Sequence, residues 1–173
     1  RGLVGNWRAL FEEPEFANVP GELKRLNDIA FSGDGEPTIV PTFKPALQIA
    51  TRVRRELAPA ETKIVIITNG CRLGRPDVAE ALRVLDGNNG EIWAKLDAGT
   101  DERFRQINQP PAGLHVQQLV DNIRQLAVAR PVVIQTLLCR LDGELPPPAD
   151  VDAYCGHVRG IVADGGQIRL VQL

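Results

Sequence analysis

The chain has 173 residues, 43% hydrophobic and 24% charged, with 20 Lys plus Arg against 22 Asp plus Glu for a net charge of −2. This composition excludes collagen, coiled coil and disorder, and the near-neutral balance supplies none of the basic field that a dedicated nucleic-acid binder carries. There is no apolar run long enough for a membrane span or a signal peptide and only three scattered cysteines, so the expectation is a reduced, cytoplasmic protein with no membrane partner.

The first segment, Arg1 to Pro20, reads as a helix or loop carrying Trp7, Leu10 and Phe11. After it come five short apolar runs: Asp28-Ile-Ala-Phe-Ser32, Lys63-Ile-Val-Ile-Ile-Thr68, Glu91-Ile-Trp-Ala-Lys-Leu-Asp97, Pro131-Val-Val-Ile-Gln-Thr-Leu-Leu138 and Gln167-Ile-Arg-Leu-Val-Gln-Leu173. Runs without alternation suit strands buried on both faces of a parallel sheet. Each gap holds apolar residues at helical spacing. They are Phe43, Ala46, Leu47, Ala50, Val53 and Leu57; then Val78, Ala79, Leu82 and Leu85; then Val116, Leu119, Val120, Ile123, Leu126 and Ala127; then Val151, Tyr154, Cys155, Val158, Ile161 and Val162. A strand and a helix repeating about every 35 residues predict βα units with right-handed crossovers. An open doubly wound sheet and part of a βα barrel both fit, and periodicity does not separate them.

In both architectures ligands bind at the carboxyl ends of the strands. The first strand runs into Ser32-Gly-Asp-Gly-Glu-Pro-Thr38, where Gly33 and Gly35 can take positive φ and let a ligand approach the backbone. A dinucleotide fingerprint would need a third glycine where Thr38 stands. The second strand ends at Thr68-Asn69-Gly70-Cys71, readable as a turn or as a ligand contact. On the third, alternation sends Trp93, Lys95 and Asp97 to one face and Ile92, Ala94 and Leu96 to the other. The polar set predicts a lined cavity. Asp97 is read as functional, whereas Lys95 is equally readable as half of a structural ion pair. Gln135 on the fourth strand, and Gln172 on the fifth, are each ligand contacts or satisfied core amides. Walker, zincin and nucleophile-elbow motifs are absent, there are two histidines, and Cys71, Cys139 and Cys155 lack metal-ligand spacing.

Taken in order, Phe31-Ser-Gly-Asp-Gly-Glu-Pro-Thr38, Ile67-Thr-Asn-Gly70, Lys95-Leu-Asp-Ala98, Phe104-Arg-Gln-Ile-Asn-Gln-Pro110 and Ile134-Gln-Thr-Leu137 resemble the radical S-adenosylmethionine superfamily, most closely its members related to wyosine-base-formation proteins. The resemblance runs from about Asp28 to Leu173. It implies an α/β fold, a partial (βα)6 TIM-type barrel of parallel strands incomplete at both ends, with residues 1–173 forming a single core domain. It implies S-adenosylmethionine and a four-iron four-sulfur cluster as cofactors. Reductive cleavage of S-adenosylmethionine would give a 5′-deoxyadenosyl radical that abstracts hydrogen from a substrate, with the cofactor carrying the chemistry and the protein orienting it. The cofactor-binding set implied is Ser32, Gly33, Asp34, Gly35, Glu36, Pro37, Thr68, Asn69, Lys95, Asp97 and Gln135. An electron donor such as a flavodoxin or ferredoxin is the implied partner, and tRNA is one substrate the resemblance allows.

The family holds its cluster with Cys-x3-Cys-x2-Cys after its first strand, yet no cysteine precedes Cys71. Three thiolates are needed. With no methionine anywhere, a start at Arg1 and an end within a strand at Leu173, the expectation is a fragment without its first strand and cluster loop, not catalytically competent alone. Two other readings compete. One is a cluster-less module of the same fold that binds a ligand or partner. The other is a metal-independent βα-barrel lyase using Lys95 as base or Schiff-base amine, which borohydride trapping on Lys95 would reveal.

Overall fold

The computed structural model describes residues 6–33 and 35–173. The chain is α/β, and its five strands form one sheet: β1 (Asp28–Phe31), β2 (Lys63–Thr68), β3 (Gly90–Lys95), β4 (Val132–Gln135) and β5 (Ile168–Gln172). All neighbours are parallel and their order in space is their order in the chain. That order settles the choice of architecture. A doubly wound sheet reverses direction partway across, whereas a barrel wall adds every strand beside the last. This sheet is wound like a barrel wall.

The helices are α1 (Trp7–Leu10), α2 (Phe43–Leu57), α3 (Pro76–Leu82), α4 (Asp101–Asn108), α5 (Val116–Ala129) and α6 (Pro148–Ala163). Same-handed crossovers in a sequentially wound sheet put the connecting helices on one face. Accordingly, one alternation set of the strands, Ile64, Ile66, Ile92, Ala94, Val132 and Ile134, shares a buried cluster with Leu47 of α2, Leu82 of α3, Ile123 of α5 and Ile161 of α6. Burying each such Leu or Ile contributes roughly 1.5–3 kcal/mol. The other set, including Lys63, Val65, Glu91, Trp93, Lys95, Val133 and Gln135, faces away from the helices.

Several expectations need correcting. Burial on both faces holds for the central strands but not for β1 and β5, whose residues are half-buried or exposed because each has a neighbour on one side only. β4 ends at Gln135, not Leu138, and Leu137 and Leu138 are exposed. The chain leaves the sheet there because the Leu137 N–H donates to the Asp97 carboxylate (2.8 Å). β3 likewise stops at Lys95. The predicted stripe on α5 is wholly buried, but on α6 only Ile161 of the named apolar residues is, with Val151 and Val162 exposed. The first segment holds α1 and two 3-10 turns, and Phe11 packs edge-on against Trp7 and Phe16.

Near the amino end of the open face lies a charge cluster. Glu91 is 8% exposed. Its Oε1 accepts from Lys63 Nζ and Arg169 NH1, both at 2.8 Å, and its Oε2 from Trp93 Nε1 at 3.1 Å. Burial pushes the Glu91 carboxyl up, but hydrogen bonds from Lys63 and Trp93, with the charges of Lys63 and Arg169, outweigh it and hold the carboxyl below its ordinary value.

Candidate functional site

Four turns meet at the carboxyl end of the sheet. The turn after β1 is built on Gly33 (φ +126°) and Gly35 (φ +133°), which side chains rarely tolerate. A Cβ built at either glycine would meet nothing within 4 Å, so this stretch of backbone lies open. The open side is a cavity of about 310 Å³ lined by Ser32, Gly33, Gly35, Glu36, Pro37 and the exposed Ile39. Asp34 lies outside the described residues.

Glu36 turns away from solvent. It is 8% exposed. Its Oε1 accepts from Thr38 N–H (3.2 Å), Thr38 Oγ1 (2.5 Å) and Thr68 Oγ1 (2.6 Å), and its Oε2 accepts from Asn69 N–H (2.6 Å). A buried carboxylate needs such donors. The effect is to tie the turn after β1 to the end of β2, so Glu36, Thr68 and Asn69 act as one unit. Thr68 Oγ1 also accepts from Gly70 N–H, and Asn69 Oδ1 from Cys71 N–H. Burial first, and then the Glu36 charge, push the Cys71 thiol up, which disfavours the reactive thiolate.

One strand further on, the Asp97 side chain is buried at the end of β3. Its Oδ1 accepts from Leu137 N–H (2.8 Å), and its Oδ2 accepts from Asn108 Nδ2 (2.7 Å) and lies 3.4 Å from Lys95 Nζ. Asp97 thus joins β3 to the chain beyond β4 and to the end of α4. Gln135 sits across from Lys95 in the register of β3 and β4, on the open face. A second cavity, of about 260 Å³, is lined by Asn69, Lys95, Asp97 and Asn108 among polar residues, and by Phe104 and Leu114 among apolar ones.

The β3–α4 loop is held from the other side. Asp150, buried in the first turn of α6, accepts from Gly99 N–H, Thr100 N–H and Thr100 Oγ1 at 2.8–2.9 Å. A Cβ at Gly99 would stand 2.2 Å from the Asp150 carbonyl oxygen and the Tyr154 nitrogen, so only glycine fits. Thr136 pairs with Tyr154 through their hydroxyls (2.7 Å), and burial pushes that phenol up. Sequence reasoning left Asn108, Thr38, Gly99 and Asp150 unassigned. Asn108 lay in a quoted motif but eleven residues beyond Asp97, and Asp150 looked like an ordinary acid in a first helical turn.

The two cofactors the resemblance implies fit the described residues differently. The cysteines are free and half-buried, and among the described residues no three His, Cys, Asp or Glu stand where they could share a metal ion. A cluster does not fit them. The open glycine turn and its cavity do suit a small ligand that meets backbone.

A parallel sheet wound in sequence, with cavities where the strands end, defines an α/β protein of barrel-wall type. Among the described residues, no helix is long and apolar enough to cross a membrane. No family model matches the chain. It is 28% identical over 96 residues to the UPF0026 protein slr1464 of Synechocystis, covering 56% of this chain and 32% of that protein. It is 26% identical over 100 residues to GTPase Obg of Brachyspira hyodysenteriae, covering 58% of this chain and 13% of that protein. The chain therefore spans about a third, or less, of these curated relatives. Among solved structures it is similar to a domain of pyruvate-formate lyase-activating enzyme from Bacteroides vulgatus, with a TM-score of 0.47, 15% identity, and coverage of 83% of this chain and 98% of that one.

Proposed function

We propose that this chain is core structure of a radical S-adenosylmethionine enzyme, and that the rim at the ends of β1, β2 and β3 receives S-adenosylmethionine. The observation that carries the reading is the open turn at Gly33 and Gly35, fastened by Glu36 to Thr68 and Asn69 beside a cavity of about 310 Å³. The ordered motifs from Phe31 to Leu137 support it. When bound, S-adenosylmethionine supplies a sulfonium whose carbon–sulfur bond is open to reductive cleavage.

The chain's own part is binding and orientation. The glycine backbone lets the ligand come close, and the Glu36 carboxylate, bonded to Thr38, Thr68 and Asn69, fixes the turn. Lys95, beside the exposed Asn69, presents a cation where a ligand carboxylate or hydroxyl can reach it. An electron donor of the flavodoxin or ferredoxin kind, and a substrate for which tRNA is one candidate, belong to this reading of the whole protein. So does a cluster held by residues other than those described here.

Calorimetric titration of the chain with S-adenosylmethionine tests the reading. Saturable binding is expected, weakened at least tenfold in Gly35→Val with the fold retained by circular dichroism. Absence of saturation at millimolar ligand sinks it. Anaerobic treatment with iron and sulfide is expected to leave no site-bound cluster absorbance, and a stable stoichiometric cluster would overturn that part.

A further inference from the structure

We infer that the cavity between α4 and the turn beyond β4 binds an amphoteric small molecule of the α-amino acid class, its carboxylate taken by Arg103 and its ammonium by Asp142 and Glu144. Arg103, in the first turn of α4, is 4% exposed. A buried charge is expensive without a counter-charge. Among the described residues no carboxylate pairs with this guanidinium. Its NH2 donates to the Cys139 carbonyl (2.8 Å), and its NH1 has only Gln106 Oε1, at 3.5 Å. Nε is sealed inside the protein and is not offered to a ligand. What the guanidinium offers is the end beside Gln106, since Arg103 and Gln106 both line a cavity of about 490 Å³. A carboxylate there would supply the missing counter-charge in the paired geometry that arginine favours.

The same cavity carries the reverse charge. Asp142 and Glu144 line it, both are exposed, and neither carboxylate has a partner among the described residues. They belong to a tight hairpin. Leu141 and Glu144 exchange backbone hydrogen bonds at 3.0 and 2.8 Å, with Asp142 (φ +50°) and Gly143 (φ +84°) between them. Two positive φ angles in a two-residue turn give the hairpin a defined shape, so the two acids stand on a fixed backbone. Arg140, the cation of this hairpin, donates to the Gly143 carbonyl rather than to either acid. Leu141 and Leu145 add apolar surface. Apolar walls with a few convergent polar groups are the form small-molecule sites take. Coulomb repulsion then selects the ligand class. A simple anion would meet two acids and a simple cation would meet Arg103, whereas a molecule bearing both charges matches both. The cavity shares no lining residue with the glycine turn or with the Lys95 cavity, so its occupancy does not depend on S-adenosylmethionine at the rim.

L-Leucine, 4-methylpentanoate and 3-methylbutylamine are matched probes, because the second is leucine without its ammonium and the third is leucine without its carboxylate. Each is titrated near neutral pH into the nitrogen-15-labelled chain while the Arg103 Nε–H and Gln106 side-chain amide resonances are followed. Saturable shifts are expected with leucine, with about tenfold weaker binding of either partial probe, and with nuclear Overhauser contacts from the leucine methyls to Leu141 and Leu145. In the chain carrying both Asp142→Asn and Glu144→Gln, leucine is expected to fall to the affinity of 4-methylpentanoate. Both positions are exposed and asparagine tolerates positive φ, so this variant leaves Arg103 and the fold undisturbed. Saturating leucine is expected to leave the affinity for S-adenosylmethionine unchanged. Equal binding of leucine and 4-methylpentanoate by the parent chain would show that the acids read no ammonium. Equal binding of leucine and 3-methylbutylamine would show that Arg103 reads no carboxylate. No saturation with leucine, contacts elsewhere, or displacement of S-adenosylmethionine by leucine would remove the site from this cavity. Each of these outcomes overturns the inference, and each leaves saturable binding of S-adenosylmethionine itself as a separate result.

Discussion

Glu91 and Lys95 leave β3 on the same face, four residues apart, and their surroundings differ. Glu91, toward the amino end, is enclosed by Lys63 of β2, Trp93 of its own strand and Arg169 of β5, so it reaches across most of the sheet. Lys95, at the carboxyl end, lies 3.4 Å from Asp97, a carboxylate already filled by Asn108 and the Leu137 backbone. The charge at the amino end is committed to holding strands together. The charge at the carboxyl end is not committed in this way, and the proposed function assigns it to a ligand. This is the division of labour that sequentially wound βα sheets favour, with stability at one end of the strands and binding at the other.

The largest expected effect breaks the committed end. Glu91→Ala leaves the indole N–H and two cations without their acceptor and is expected to cost about 2 kcal/mol of unfolding free energy, read from urea denaturation. Unchanged stability would erase the distinction from Lys95. The next effect is the acid dependence of the same group. Its folded pKa lies below the ordinary value, so its contribution is present above the unfolded pKa and is lost as pH falls through the folded one. The stability gap between the parent chain and Glu91→Ala should therefore narrow below about pH 4. A gap of equal size at pH 3 and pH 7 would mean that shape, not charge, holds the cluster. The smallest effect belongs to the rim. Lys95→Ala should change stability by no more than about 0.5 kcal/mol, as expected for a partly exposed pair. A loss comparable to that of Glu91→Ala would make Lys95 a structural residue as well.

Much of this organisation was legible in the residues. The alternation at Ile92 to Asp97 correctly sent Ile92, Ala94 and Leu96 into the core beneath the helices and Lys95 and Asp97 away from it. The stripe from Val116 to Ala127 was buried throughout, because α5 lies against the centre of the sheet. Reading failed where a neighbour was needed. The Ile168 to Leu173 run looks as apolar as the Lys63 to Thr68 run, yet one is an edge strand and the other is central. Glu91 went unmarked because its partners Lys63 and Arg169 are 28 and 78 residues away. The fastening role of Glu36 was not legible either, because nothing local shows that Thr68 and Asn69 will hydrogen-bond its oxygens.

By itself, the sequence determined the alternation of strands and helices, the existence of a polar rim after each strand, and the glycines that open the first turn. Those properties follow from periods of 2 and 3.6 residues and from backbone preferences, all set within a few neighbours. Only the tertiary structure decided that the strands stack in chain order, that Glu36 and Asp97 fasten turns together, and that Asn108 Oδ1 finds no donor among the described residues. Hydrogen-bond accounts close across strands, between residues distant in the chain, so whether a carboxylate or an amide is occupied or available is settled only when the sheet is assembled.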